Sequence, residues 1–127
     1  MAIRATPLLL CDHVHEDPVS HNVTLLAIFT TLRATKFPTP YRVMSVYTQL
    51  VGDPGEFGEV GLRCESIATG QVLAAETYRV QIGTFGTRHV HIRLDDLRFP
   101  EPGSYRFSLH VENETIGEQT TLVTQGN

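Results

Sequence analysis

Four histidines form two His-x-His pairs, His13 with His15 and His89 with His91. Side chains two residues apart on a strand point to the same face, so either pair could present two imidazoles to one metal ion. The carboxylates that follow each pair stand at spacings that do not complete a ligand set. We therefore predict exposed surface histidines, and keep a metal-binding protein or metal-dependent enzyme as the alternative.

Cys11 stands two residues before His13, a spacing that on a strand would let a thiol meet a base. No third group and no oxyanion element accompany them in the sequence. The glycine-containing segments 52–55 and 83–86 do not join a strand to a helix, which excludes phosphate-binding loops. We predict no catalytic residues and no cofactor. A non-enzymatic protein is preferred, although enzymatic activity stays open.

The composition limits the partners and the compartment. The 127 residues carry a net charge of −4, with 41% hydrophobic and 19% charged residues, which predicts one globular domain over residues 1–127. This charge gives no basic surface for nucleic acid, and no run approaches the roughly 20 apolar residues of a membrane span. The apolar run near the start is too short for a signal peptide. Cys11 and Cys64 are too few for a disulfide scaffold and predict buried thiols in a reducing cytoplasm.

Alternation of apolar and polar residues recurs along the whole chain, whereas no window shows a clean helical stripe. About eight such runs, separated by turn residues, predict an all-β fold. We expect a two-sheet antiparallel Greek-key sandwich of the immunoglobulin-like type. The run Val23–Leu32 is apolar on both faces, which predicts a central strand.

The segment from Leu94 to Tyr105 is the clearest structural signature. Leu97, Pro102 and Gly103 lie between these two residues, so that a turn leads directly into a strand beginning with tyrosine. In Greek-key sandwiches such a tyrosine hydroxyl returns to the backbone where the chain crosses between sheets. The crossing would place the pair His89 and His91 on one sheet and His110 on the other, too far apart to share an ion.

Two segments resemble a family of short bacterial proteins known only as a domain of unknown function. One begins at Cys11-Asp12 and includes Ser20 to Phe29 and Phe37-Pro38, and the other runs from Phe99 to Asn113. The resemblance implies a bacterial cytoplasmic β-sandwich, and it brings no catalytic residues with it.

The function that the sequence favours is a binding or interaction module that acts through a sheet face or an edge strand. Its partner would be another protein or a second copy of the chain, and we expect neither nucleic acid nor membrane. Carbohydrate binding on a sheet face is a further alternative. The absence of tryptophan argues against it, as does the scarcity of outward aromatic residues beyond Tyr41 and Tyr47.

Overall fold

The computed structural model describes residues 3–126, which form ten β-strands and no helix. In chain order the strands are β1 (Arg4–Ala5), β2 (Leu9–Glu16), β3 (Val23–Phe29), β4 (Thr31–Ala34), β5 (Thr39–Val51), β6 (Phe57–Ser66), β7 (Val72–Gln81), β8 (Thr87–Phe99), β9 (Gly103–Val111) and β10 (Glu114–Gln125). The expected eight strands are two too few, because the predicted run Val23–Leu32 contains both β3 and the start of β4, and because β1 has only two residues. No helix in this part of the chain is long and apolar enough to cross a membrane.

The strands form two curled sheets. In the first, β8 pairs with β5, β5 pairs with β2 and also with β1, and β2 pairs with β3; the second has the order β4-β10-β9-β6-β7. The all-β, two-sheet prediction is confirmed. The prediction that every pairing is antiparallel is wrong, because β4 pairs with β10 in parallel. The chain passes from β3 into β4 with only Thr30 between them, so β4 enters the second sheet without a reversing turn.

One cluster of apolar side chains fills the space between the sheets. It contains Met44, Val46 and Leu50 of β5, which the alternating pattern correctly places on one face. Phe99 and Tyr105 are among its largest fully buried members, with ring centroids 4.8 Å apart in an edge-to-face arrangement. The core therefore includes both ends of the segment that connects β8 to β9.

The segment Val23–Leu32 is not a central strand. Its first part, β3, pairs only with β2 and forms an edge of the first sheet, with Leu26 and Ile28 52% and 55% exposed. The remainder belongs to β4 at the edge of the second sheet. Leu26 and Ile28 are exposed, so the apolar residues on both faces of this segment do not mean that neighbouring strands cover both faces.

Strand β8 continues to Phe99, so the first six residues of the segment expected to form the corner, 94–99, belong to a strand. Leu94 and Leu97 are both 4% exposed although they are three residues apart. Asp96 lies between them with a φ of 52°, a left-handed conformation. This irregularity interrupts the alternation of side chains, so that Leu94 and Leu97 can both face the core. The expected start of the corner at Leu94 was wrong, because the strict alternation of side chains ends at Asp96 while the strand continues.

The crossing between the sheets occupies only Pro100 to Pro102, and β9 begins at Gly103, whose φ is +151°. The Tyr105 hydroxyl donates a hydrogen bond to the Glu101 carbonyl oxygen at 2.5 Å. The Glu101 N–H donates to the same hydroxyl oxygen at 3.4 Å. The chain thus leaves the first sheet at the end of β8 and enters the second with β9, held at the turn by its own tyrosine.

Candidate functional site

Strands β7 and β8 end the two sheets on the same side of the molecule. Within residues 3–126, β7 pairs along its length only with β6, and β8 only with β5. A tight turn joins them, with the Gly86 N–H donating to the Gly83 carbonyl at 3.0 Å. Beyond this turn they diverge into different sheets, so that each strand has one free edge.

Two cavities lie between these strands, and together we call them the β7–β8 groove. The larger, of about 580 Å³, is lined by Glu16, His21, Tyr78, Arg79, Val80 and residues 87–92. The smaller, of about 380 Å³, is lined by Gln71, Val72, Leu73, Ala74, Glu76 and residues 94–98. Each cavity has residues of β7 on one wall and of β8 on the other. A depression of about 610 Å³ also lies over β6, but β6 is already paired on both sides.

Hydrogen bonds near the turn fix the direction of the β7 backbone groups. The Ile82 N–H donates to the Glu56 carbonyl at 2.8 Å, and the Ile82 carbonyl accepts from Gly55 at 2.9 Å. In an antiparallel strand the N–H and C=O of one residue point to the same edge, and those of the next residue point to the opposite edge. The β6–β7 register is constant from Gln81 back to Ala74. Even-numbered residues of this stretch therefore pair with β6, whereas Thr77 and Arg79 present their N–H and C=O groups to the groove.

Two hydrogen bonds near the turn also fix the direction of the β8 backbone groups. The Gly86 carbonyl accepts from Gly52 on the β5 side at 3.0 Å, while the Thr87 carbonyl accepts from Gly83 on the β7 side at 3.0 Å. By alternation, the backbone groups of His89, His91 and Arg93 face the groove. Both strands thus offer a row of unpaired main-chain donors and acceptors to one space.

The turn between β2 and β3 contributes Glu16 and His21 to the larger cavity. Strand β2 pairs with β5 only over Leu9–Cys11, where Leu9 lies opposite Tyr47 and Cys11 opposite Ser45. Continued straight, that register would bring Glu16 opposite residue 40, far from residues 87–92. The β2–β3 hairpin therefore bends away from the direction of β5.

Basic side chains outnumber acidic ones around the larger cavity. Arg79 and Arg88 line this cavity together with a single carboxylate, Glu16, which lies 3.2 Å from His21 Nδ1. The Arg79 guanidinium lies 5.3 Å from the centroid of the Phe57 ring. His89 Nδ1 forms a hydrogen bond with the Tyr47 hydroxyl, whose pKa is raised by desolvation, so this hydroxyl keeps its proton at neutral pH.

Acidic side chains dominate the smaller cavity, where Glu76, Asp95 and Asp96 accompany one basic residue, Arg98. The Tyr78 hydroxyl donates to Glu76 at 2.6 Å. Desolvation, followed by the bond and charge of Glu76, raises the pKa of Tyr78 to about 12. The groove therefore changes from basic to acidic along its length.

The predicted histidine sites separate in the structure. His89 and His91 are exposed and line the larger cavity, whereas His13 and His15 are exposed on β2 outside both cavities. His110 lies on the other sheet from His89 and His91, as predicted from the corner, and its ring nitrogens contact Ser108 and Thr115 hydroxyls. Among residues 3–126, no three His, Cys, Asp or Glu side chains are placed to hold a metal ion.

Sequence reasoning missed His21, Glu16 and Tyr78 as neighbours of His89 and His91. Glu16 and His21 reach the cavity because a hairpin bends, and Tyr78 reaches it because two sheets end side by side. Neither cause leaves a local signal. The alternation did place His89, His91 and Arg93 correctly on the exposed side of β8.

Residues 7–124 match the model of a family of unknown function, DUF6941. The chain belongs to this family. This confirms the predicted membership of a domain-of-unknown-function family. No protein of curated function is detectably similar in sequence.

Solved structures with similar folds include the Pseudomonas fluorescens alkylpurine DNA glycosylase AlkC bound to DNA containing an abasic site analogue. That structure is 13% identical with a TM-score of 0.58, and the match covers 96% of this chain and 30% of the glycosylase. A Kluyveromyces marxianus β-glucosidase matches with 13% identity and a TM-score of 0.47, over 76% of this chain and 15% of that enzyme. The chain thus spans less than a third of either protein, and the first likeness concerns the fold alone.

Proposed function

We propose that this protein is a non-enzymatic binding module that takes up an extended segment of a partner protein in the β7–β8 groove. The observation that carries the proposal is the pair of free strand edges that face one groove. Main-chain hydrogen bonds to an added strand supply affinity, and pockets for alternate side chains supply specificity. Each such bond contributes roughly 0.5–1.5 kcal/mol net, so side-chain contacts in the two cavities must add to the main-chain bonds to offset the cost of association.

The two-walled shape of the groove favours a single extended segment over a second copy of the chain. An edge strand of a folded copy already has its own sheet on one side, so it could pair with β7 or with β8 but not with both. A flexible segment has two free edges and can contact both walls. Its backbone would satisfy Thr77 and Arg79 on one side and His89 and His91 on the other.

Thr77 provides a sharp test because it lies between the residues of β7 that line the two cavities, while its exposed side chain lines the depression over β6. By alternation its N–H points to the free edge of β7. In Thr77→Pro the donor is lost and the pyrrolidine ring enters the groove, while the bonds to β6 stay intact, since proline is tolerated at the solvent side of an edge strand. In the matched control, Thr77→Ala, the side chain is shortened but the N–H is kept. Random decapeptides displayed on phage are selected on the wild-type chain, and the affinities of enriched peptides are then measured for all three proteins.

We expect Thr77→Ala to bind within about twofold of wild type and Thr77→Pro to bind at least about tenfold more weakly, the equivalent of one or two lost hydrogen bonds. Thermal unfolding shows whether Thr77→Pro stays folded. A wild-type chain that enriches no peptide, or a folded Thr77→Pro that binds as tightly as Thr77→Ala, contradicts the proposal.

Sedimentation velocity tests the choice of partner. We expect the wild-type chain to be a monomer at high concentration. A dimer that Thr77→Pro abolishes and Thr77→Ala retains would mean that a second copy covers the edge, and would overturn the assignment to a separate partner.

We also propose that the two sheets have the immunoglobulin-like Greek-key arrangement and that the protein works in a bacterial cytoplasm. The tyrosine-held crossing from β8 to β9 supports the former. The two buried free cysteines, Cys11 and Cys64, support a reducing compartment.

A further inference from the structure

We infer that the β7–β8 groove selects partner segments whose charges are segregated, with acidic residues in one half and basic residues in the other. The inference rests on the proposed strand-accepting function and adds the chemistry of the partner to it. It follows from the charges that line the two cavities at the two ends of the groove.

The larger cavity is a positive site on a negative protein. Arg79 and Arg88 against Glu16 leave a net charge of +1 there with the histidines neutral, whereas the whole chain carries −4. Among the ion pairs formed by residues 3–126, none includes either arginine. Arginine presents planar donors that match carboxylates, so these two guanidinium groups suit aspartate or glutamate side chains of a bound segment.

The smaller cavity has the opposite character. Glu76, Asp95 and Asp96 against Arg98 leave a net charge of −2 among the lining residues, and of −1 when Arg93, the ion-pair partner of Asp95, is included. Asp95 already pairs with Arg93 at 2.9 Å and Glu76 accepts a bond from Tyr78, while no ion pair of the described residues includes Asp96. A lysine or arginine of the partner is the side chain that complements this end.

The order of the charges also fixes the register of the segment. An extended strand advances about 3.3 Å per residue, and its side chains alternate with a period of two. A bound segment that slides by two residues therefore presents the same side-chain face and makes the same main-chain bonds to β7 and β8. The backbone alone therefore accepts several registers. Like charges placed together are unfavourable, so a segment with separated acidic and basic halves is held in one position by the two ends of the groove.

The test compares the wild-type chain with Arg79→Glu/Arg88→Glu, which reverses the positive end. The matched control is Arg4→Glu/Arg63→Glu, which changes the net charge equally at two exposed arginines outside both cavities. Each protein is used to select decapeptides from the same random phage library at low salt. Enriched wild-type peptides are then measured by fluorescence anisotropy on all three proteins, with thermal unfolding as the check on folding.

We expect the wild-type chain and the control to enrich peptides with acidic and basic halves, in either chain direction. Arg79→Glu/Arg88→Glu should bind them roughly tenfold or more weakly, and the wild-type affinity should fall as salt rises. Peptides that bind through Thr77 but show no charge segregation, or that bind equally to the reversed variant, overturn this inference and leave the proposed function standing. A wild-type chain that enriches nothing overturns both.

Discussion

Cys11 and Cys64 are the only thiols of the chain, and both are fully buried. The Cys11 thiol points to the Ser45 carbonyl oxygen at 3.7 Å, and desolvation raises its pKa. Desolvation, with a smaller contribution from Glu65, raises the pKa of Cys64 to about 12. A thiol that keeps its proton is neither a nucleophile nor a metal ligand at neutral pH, which agrees with a structural role for both residues.

Cys64 gives the protein a pH-dependent stability. Its pKa rises from 9.0 to about 12 on folding, so between these values the unfolded chain releases a proton that the folded chain keeps. The free energy of unfolding should therefore be constant below about pH 8 and fall above pH 9, by at most roughly 1.4 kcal/mol per pH unit from this group. Urea unfolding of wild type and Cys64→Ala across this range, with reductant present, measures the difference.

The tyrosines also contribute to the pH dependence of the free energy of unfolding. Comparing wild type with Cys64→Ala removes this contribution, because both proteins share it. Cys64→Ala should be less stable than wild type at neutral pH because it leaves a small cavity, yet lose less stability as the pH rises. Equal slopes in the two proteins would contradict the burial of a protonated Cys64.

At the scale of strands, the corner between β8 and β9 depends on one side chain. The Tyr105 ring is 1% exposed and packs on Phe99, while its hydroxyl bonds to both backbone groups of Glu101. Packing and hydrogen bonding can thus be separated by removing the hydroxyl alone.

Tyr105→Phe keeps the packed ring but leaves the Glu101 carbonyl and N–H without this partner. We expect a loss of about 1–3 kcal/mol in the free energy of unfolding, measured with urea. Tyr78→Phe is the control, since it removes an exposed hydroxyl bonded only to Glu76, and it should cost less than half as much. Equal effects of the two substitutions would show that the corner bond does not stabilise the crossing.

Alternation predicted most strands because each has one apolar, buried face, as β6 and the first part of β8 show. The alternating pattern gave wrong predictions where the chain passes from one sheet to the other or departs from regular strand geometry. The run Val23–Leu32 looked doubly buried but crosses between sheets, and β8 looked finished at Leu94 because Asp96 shifts its phase. Local pattern reports which side of a strand is apolar, but it does not report which strand lies next to it.

At the scale of the whole molecule, the candidate site comes from the arrangement of the sheets. Two sheets that enclose one core leave β7 and β8 as neighbouring free edges, and the bent β2–β3 hairpin adds Glu16 and His21. The sequence could predict an interaction through an edge strand in general terms. It could not select this edge, since the choice depends on contacts between residues far apart in the chain.

Backbone hydrogen exchange of the free chain and of its complex with a phage-selected decapeptide tests whether β7 and β8 have free edges that accept a strand. In the free chain the amides of Thr77, Arg79, His89 and His91 should exchange quickly, whereas those of Tyr78 and Val80, bonded to β6, should be protected. Peptide binding should slow the amides of the first group and leave the second group unchanged. Protection of Thr77 and Arg79 in the free chain, or no slowing at either strand in the complex, would contradict a groove with two free edges that accepts a strand.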